Sequence, residues 1–566
     1  MWLTRICRQS SSPSGIRRLV PGPYMKACTK LQDGVSVEWV SGEKAFFHYT
    51  WLYDNAPQNR TENLQRLHES WQLPSSSVLG SGARLTFSED YIQLHWGERG
   101  LSTFPASWLY QHVIPNSPPR SAAATQSLDE MLTRNEKSLT DVLDSVRAPW
   151  RSGDLRVRNE AFAAAMQQLA EGGYANIHDE ADQEGDGKKP PPAIVPSVSE
   201  HSGGICVYDW DQIGGGTQRY DSQLWVLLSL WRDGVVMIRG LTHDTNTVLR
   251  AAEWFGYVRE TKYGRAFDVC TVGDTAANNL AYTDRALSCH TDNPYREPIP
   301  GVQLLHCIQP AHNDEAVTLL SDGFAVANDI RERWPEDFNT LTQPWPFHYV
   351  DVTDPMEKRL KALQESIKQE RPDQFGGQDE VKKEEPLLVQ SPPDAHTRFN
   401  EVDMYAERPP IDVDRRGRVR RIVYNNRSAS PAKAADGSTD EQQHVAWQRM
   451  GAMLNNDRYM VKVRLQQGDL LIFDNHRIAH GRTAYTDTNR LLQGCYIDHD
   501  HVMGRLRALL SKRRTALIYN AYSQALLKQE LAAKERREEA IKRQTLKWKR
   551  EEAFWDERDL VKEAKM

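Results

Sequence analysis

Three side chains of metal-ligand type lie near strand-like text in the second half of the chain: His290 and Asp292 in SCHTDNP, and His480 in IFDNHRIAHGR. Two imidazoles and one carboxylate can occupy one face of a six-coordinate iron(II), leaving three positions for a chelating co-substrate and dioxygen. The His-x-Asp spacing alone is a weak signal, because His312-Asn313-Asp314 repeats it and His178 to Glu180 resembles it. Both rivals sit in polar, acidic text (PAHNDEA, NIHDEADQEG) with no strand to hold a ligand rigidly, and read as solvated loops. Arg490, at the start of RLLQGCYI, adds the guanidinium fork that the second carboxylate of a 2-oxoglutarate co-substrate would require. A third group comprises Tyr263, Phe267, Asn279, Tyr282, Asn425 and Tyr496. Aromatic faces attract a quaternary ammonium and amides can hold a carboxylate, although each ring taken alone serves equally well as core filling.

Rigid elements must position these side chains. SQLWVLLSLWRDG reads as a buried helix, and VVMIRG, GVQLLHCI, YMVKVRL, GDLLIFDNH and LLQGCYI read as strands of a sheet-on-sheet core. Short β-like runs between residues 33 and 113 (VSVEWV, KAFFHYTWLY, ARLTF, YIQLHW) predict a small β-rich N-terminal domain. Residues 114–205 predict a linker or insertion, partly disordered, in which LRVRNEAFAAAMQQLAEGG reads as a helix while HDEADQEGDGKKPPP cannot bury enough apolar surface to order itself. The main domain is expected over 206–512, with polar excursions at 354–386 and 430–443, followed by a charged C-terminal helix over 513–566 whose partner is unknown.

With 71 basic and 77 acidic residues and a net charge of -6, the chain has no global field to recruit nucleic acid. It holds no apolar run long enough to span a membrane. Seven scattered cysteines with no CxxC indicate neither a disulfide framework nor a thiolate metal site. Residues 1–32 carry several Arg, Lys and Ser and no acid, the composition of a mitochondrial presequence, so a matrix location is expected. The sequence does not fix the oligomeric state, and a homodimer is one assembly it allows.

The text YGRAFDV, NNLAYTDRALSCHTDNPYREPIPGVQLLHCIQ, SDGF, YNNRSASP, GDLLIFDNHRIAHGR and RLLQGCYIDHD, in this order over about 206–510, resembles the γ-butyrobetaine dioxygenase family, kin to trimethyllysine and taurine dioxygenases. The resemblance implies a mainly β fold with helices: a double-stranded β-helix, or jelly roll, after a small β domain. It implies iron(II) on His290, Asp292 and His480, 2-oxoglutarate on Arg490 with Thr318 and Leu287, dioxygen as second co-substrate and ascorbate as reductant. Tyr263, Phe267, Tyr282 and Tyr496 match the trimethylammonium pocket, and Asn279 and Asn425 the amides near the substrate carboxylate. The implied activity is hydroxylation of γ-butyrobetaine to carnitine, releasing succinate and CO2. Trimethyllysine or another trimethylammonium compound is the alternative substrate, and a non-catalytic mitochondrial scaffold is the alternative of another class. Two departures stand out. Ala56, Gln58, Thr61 and Gly100 occupy the positions where animal members bind zinc, so no zinc is expected. Glu315 and Ala316 replace paired glycines before Thr318.

Overall fold

The computed structural model describes residues 24–60, 73–112, 128, 132, 139–171, 194–214, 220–261, 264–270, 284–312, 315–351, 402–430, 441–487, 489–515 and 517. The chain divides into two compact units, Met1–Ser145 with Ser511–Met566, and Val146–Leu510.

In the first unit, strands β1 (Met25–Lys30), β2 (Gly34–Trp39) and β3 (Lys44–His48) form one antiparallel sheet, and β4 (Arg84–Phe87), β5 (Tyr91–His95) and β6 (Leu101–Pro105) a second. The alternation in VSVEW sends Val35, Val37 and Trp39 into the core beside Ile92, Leu94 and Phe104, as a half-buried strand requires. The expected boundary at residue 32 is corrected. Met25 is buried in this core and β1 pairs with β2 from Met25 onward, so the folded domain starts inside the stretch read as presequence. Residues 1–23 lie outside the described residues.

The second unit is built on two sheets. The larger has the order β7 (Val207–Asp209), β8 (Val235–Arg239), β18 (Leu470–Asp474), β11 (Val302–Gln309), β20 (Leu491–Ile497) and β9 (Phe267–Val269). The smaller has the order β10 (Leu287–His290), β19 (Ile478–Arg482), β12 (Thr318–Asp322) and β17 (Met460–Val463). Apart from the parallel β7–β8 pair, the ladders are antiparallel. Met237, Leu305, Leu471, Phe473 and Leu492 of the larger sheet share one buried cluster with Leu320, Val461, Val463 and Ile478 of the smaller, so the two sheets face each other across a common core.

Helix α1 (Ser152–Glu171) and helix α2 (Tyr220–Asp233) belong to this unit. All but three residues of α2 are buried, and two of its buried polar side chains are paired: Gln223 donates to Trp254 O at 3.0 Å, and Ser229 pairs with the Tyr208 hydroxyl at 2.8 Å. Gly234 ends the helix at φ 78°, and a Cβ there would meet Ile478 at 2.9 Å. Helices α3 (Gly323–Arg333), α4 (Pro335–Leu341) and α5 (Glu441–Leu454) pack with Cys289 and Ala479 of the smaller sheet in a second cluster. Helical and strand segments thus contribute comparably among the described residues, and the mainly β expectation is corrected to a mixed architecture. The difference arises because helices cover faces that the strand text alone leaves bare.

The linker expectation over 114–205 is also corrected. Trp150 is fully buried, donates its backbone N–H to Asp322 Oδ2 at 2.8 Å, and shares the inter-sheet cluster with Leu155 and Ile205. The polar run over 172–193, which lies outside the described residues, dominated the composition and masked these flanking apolar anchors. Likewise 352–401 and 431–440, which hold most of the two polar excursions, are not described. The last helix covers 499–515, so the boundary at 513 falls within it, and 518–566 lie outside the described residues. No described helix is long and apolar enough to cross a membrane.

His306, on β11, is fully buried, and neither ring nitrogen has a hydrogen-bond partner among the described residues. Burial, with His243 nearby, pushes its pKa down to about 4. Between that value and the unfolded value near 6.5, the unfolded chain binds a proton that the folded chain refuses, so stability falls as pH falls. His306→Leu is expected to stabilise the protein by about 1 kcal/mol at pH 7, and by more at pH 5, because it removes an unsatisfied polar group and its proton linkage. Thermal midpoints at both pH values check this, and a variant less stable at both would refute it.

Candidate metal centre

The register of the smaller sheet creates the site. His290, the last residue of β10, is the Cα partner of His480 in the middle of β19, although the two lie far apart in sequence. Their rings stand 4.5 Å apart between centroids. Asp292 follows two residues later and turns back, with Oδ1 3.2 Å from His290 Nε2 and Oδ2 3.8 Å from His480 Nε2. One donor atom from each residue lies within 4.8 Å of the others.

The turn carrying Asp292 is clamped on both sides. Thr291 is buried, its N–H donates to Tyr424 O at 2.7 Å, and its hydroxyl accepts from Tyr424 N at 3.0 Å. Asn425 Nδ2 donates to Thr291 O at 3.0 Å. From the other side, Asn475 Oδ1 accepts the Asp292 N–H at 2.7 Å, and its Nδ2 donates to Asp292 O at 3.2 Å and Pro300 O at 2.9 Å. His290 Nδ1 lies 2.9 Å from Ser288 O, which directs Nε2 toward Asp292.

Burial alone would raise the Asp292 pKa, but His480, His290 and the Tyr496 hydroxyl outweigh it and hold the carboxyl well below the usual range. Burial pushes His480 down to about 3, opposed by Asp292 and reinforced by His290 and Arg427. A carboxylate and a neutral imidazole at pH 7 are the protonation states in which these groups ligate metal.

Of the predicted substrate residues, the structure brings Phe267 and Tyr496 together, stacked at 5.1 Å between centroids. Gly494 makes room for this, since a Cβ there would meet the Phe267 ring at 2.6 Å. Tyr496 also donates from its hydroxyl to Asp292 Oδ2 at 2.7 Å. Asn425 has a first task that the sequence did not suggest, because its Oδ1 accepts from Arg427 N at 3.1 Å while its Nδ2 holds Thr291. Tyr263, Asn279 and Tyr282 lie outside the described residues.

Arg490 is buried, its guanidinium stands 5.1 Å from the Tyr485 ring centroid, and its Nη1 has no hydrogen-bond partner among the described residues. A cavity of about 230 Å³ is lined by Arg490, Thr318, Glu315, Ala316 and Leu492 among others. Burial lowers Arg482 to about 10, opposed by Tyr485 and reinforced by Arg490 and Arg427, so the interior holds a cationic group suited to an anion. Leu287 is the Cα partner of Arg482. Ala316 stands at φ 53°, where its glycine-bearing counterparts would be unstrained, and Glu315 Oε2 accepts from Thr486 N at 2.6 Å. Of the rival His-x-Asp, His312 is exposed and lies 3.6 Å from Asp487, while Asn313, Asp314 and 178–180 are not described.

Asn475 and Arg427 are the residues that sequence reasoning missed. Asn475 was detectable only as the amide preceding the strand that carries His480. Arg427 acts through charge on Asp292 and His480, and nothing in YNNRSAS indicates that.

Residues 217–496 match the family model described as "Taurine catabolism dioxygenase TauD, TfdA family". Human γ-butyrobetaine dioxygenase is 28% identical over 295 residues, covering 51% of this chain and 64% of the relative. The γ-butyrobetaine dioxygenase of Pseudomonas sp. (strain AK-1) is 28% identical over 307 residues, covering 54% and 66%. Trimethyllysine dioxygenase of Meyerozyma guilliermondii is 23% identical over 494 residues, covering 86% and 96%. The chain thus spans just under two thirds of the length of the γ-butyrobetaine relatives. With the His, Asp and His side chains assembled inside the matched segment, residues 217–496 match the TauD, TfdA dioxygenase family, and the chain is related to γ-butyrobetaine and trimethyllysine dioxygenases.

Proposed function

We propose that this protein is an iron(II)- and 2-oxoglutarate-dependent dioxygenase that hydroxylates γ-butyrobetaine to carnitine, with succinate and CO2 as co-products. The observation that carries the reading is the pairing of His290, Asp292 and His480 with a buried guanidinium, Arg490, whose Nη1 is left without a partner. The donor set fits iron(II): two neutral imidazoles and one carboxylate on one side, as oxygen-activating centres use. Iron(II) bound there would supply the oxygen-activating chemistry. The two facing sheets are read as a double-stranded β-helix, in which strand β20 is preceded by Arg490 and carries Tyr496, the residue bonded to Asp292.

The chain's own residues then bind and orient. Arg490 would take the distal carboxylate of 2-oxoglutarate in a two-pronged hydrogen bond, with Thr318 beside it. Phe267 and Tyr496 offer ring faces to a trimethylammonium group, the apolar cation that such faces favour over water. Position relative to the metal, more than proton transfer, would choose the carbon that reacts.

The hydroxyl of Tyr496 gives a way to separate its two roles. Tyr496→Phe keeps the ring and deletes the bond to Asp292, so iron(II) affinity should fall about 10-fold or more while the preference for a trimethylammonium substrate persists. Unchanged iron affinity would remove the positioning role.

Trimethyllysine is the second reading, favoured by the match to the Meyerozyma enzyme over 86% of this chain. A scaffold needs none of the assembled ligands, which weighs against it. The arginine- and serine-rich start supports a mitochondrial address, testable by fusing residues 1–32 to a reporter. One assay decides the activity: purified protein with iron(II), ascorbate and 2-oxoglutarate is given γ-butyrobetaine or trimethyllysine, and succinate and hydroxylated product are measured. Succinate release stimulated by neither compound would overturn the substrate class.

A further inference from the structure

We propose that Asp474, His476 and His499 form a second divalent-cation site, of the kind that takes zinc(II), at the turn between β18 and β19. It is independent of the centre at His290, Asp292 and His480, and of the activity read from that centre.

The three residues are brought together by topology. Asp474 ends β18, and its Oδ1 accepts from His476 N at 2.9 Å, which curls the turn so that both side chains reach one place. His499 begins the last helix, just after β20. The Cα of Val302 on β11 is paired with both Asp474 and Ile497, so β11 holds the end of β18 and the end of β20 on either side of itself. Gly301 permits the final approach, because a Cβ there would lie 2.2 Å from His499 N.

The donors are arranged much as in the first group. His499 Nε2 lies 3.9 Å from Asp474 Oδ2, the two imidazoles are stacked at 4.8 Å between centroids, and one donor atom from each residue lies within 4.8 Å of the others. Zinc holds N and O ligands at roughly 2.0–2.2 Å, which places tetrahedral donors about 3.3–3.6 Å apart, so closure needs side-chain rotations of about 1 Å. The Asp474 side chain is 9% exposed and that of His499 30%, which leaves one side open for entry and for a water ligand. Two imidazoles with one carboxylate favour zinc(II) over magnesium or calcium, which prefer oxygen donors.

The surrounding charges do not forbid a cation. Arg421 is paired with Asp412 at 3.1 Å, the Arg147 guanidinium is spread over the Trp231 ring at 3.6 Å, and Asp500 adds negative charge beside His499. Burial holds both imidazoles neutral at pH 7, and because His476 Nε2 lies 3.4 Å from Ile299 O, its Nδ1 is the nitrogen left with a lone pair for a metal.

The test uses the full chain carrying His290→Ala and His480→Ala, so that the first group no longer competes, after chelator treatment and dialysis. Zinc(II) titration by calorimetry is expected to show one site per chain. Adding His499→Gln or, separately, His476→Gln should weaken it at least ~100-fold, since losing a direct ligand exceeds the 10- to 100-fold cost of losing an outer-shell partner. Cobalt(II) in place of zinc should give the visible absorption of a low-coordinate N/O site, lost in the same variants. Circular dichroism identifies any variant that fails to fold, and Asp474→Asn, of equal size, then replaces it. No zinc bound by the double variant, or equal affinity with and without His476 and His499, would mean that these imidazoles form a packing stack only.

Discussion

Asp292→Ala is expected to lower turnover by more than ~100-fold and to abolish retention of iron(II), with the fold retained. Outer-shell changes already cost 10- to 100-fold in metal affinity, and this one removes a direct ligand, leaving two imidazoles that cannot define a face. The fold should survive because the bonds that anchor the turn, from Asn475 to Asp292 N and O, use the backbone, which alanine keeps. His290→Ala and His480→Ala should behave alike. The measurement is iron content and succinate release, with circular dichroism as the fold control. Substantial turnover in any of the three would remove the metal assignment.

Arg490→Ala should raise the 2-oxoglutarate requirement by at least about 30-fold while leaving iron content unchanged, because an unpaired carboxylate in a closed site costs about 2–5 kcal/mol. A second consequence separates binding from structure. Arg490 shares the interior with Arg482 and Arg427, and its Nη1 has no partner among the described residues, so without an anion its removal should not destabilise the protein. With 2-oxoglutarate at 100 times its dissociation constant, the parent chain should gain about 2.7 kcal/mol of stability and the variant far less. Equal thermal shifts in the two proteins would move the carboxylate to another residue.

The parts of this molecule that were legible in the sequence are those whose signal is local. The helix at SQLWVLLSLWRDG and the strands at VVMIRG, GVQLLHCI, GDLLIFDNH and LLQGCYI are continuous apolar runs, and each occupies the expected element. His290, Asp292 and His480 could be singled out because these ligand-type residues lie in or beside strand text. Asn475 and the bond from Tyr496 to Asp292 were not, since they depend on how strands align across sheets and not on neighbours in the chain. For the same reason Asp474, His476 and His499 form no pattern until β11 stands between β18 and β20. Trp150 was lost because composition averaged over 114–205 hides a single buried anchor beside a polar run.

Strands β13 (Trp345–Asp351) and β14 (Val402–Arg408) pair antiparallel from Trp345 opposite Arg408 to Asp351 opposite Val402. The stretch between them therefore leaves and re-enters the domain at one point, and its thermodynamic weight is that of closing a loop whose ends are already fastened. Loop entropy grows only with the logarithm of length. Deleting 354–386 shortens the loop about threefold and should change stability by only about 1 kcal/mol in the favourable direction. A denaturant midpoint shifted strongly downward would show that the deleted stretch contributes contacts of its own. On this arithmetic the ladder acts as a hem: chain of almost any length can be gathered there, so length variation at this point costs the metal centre little.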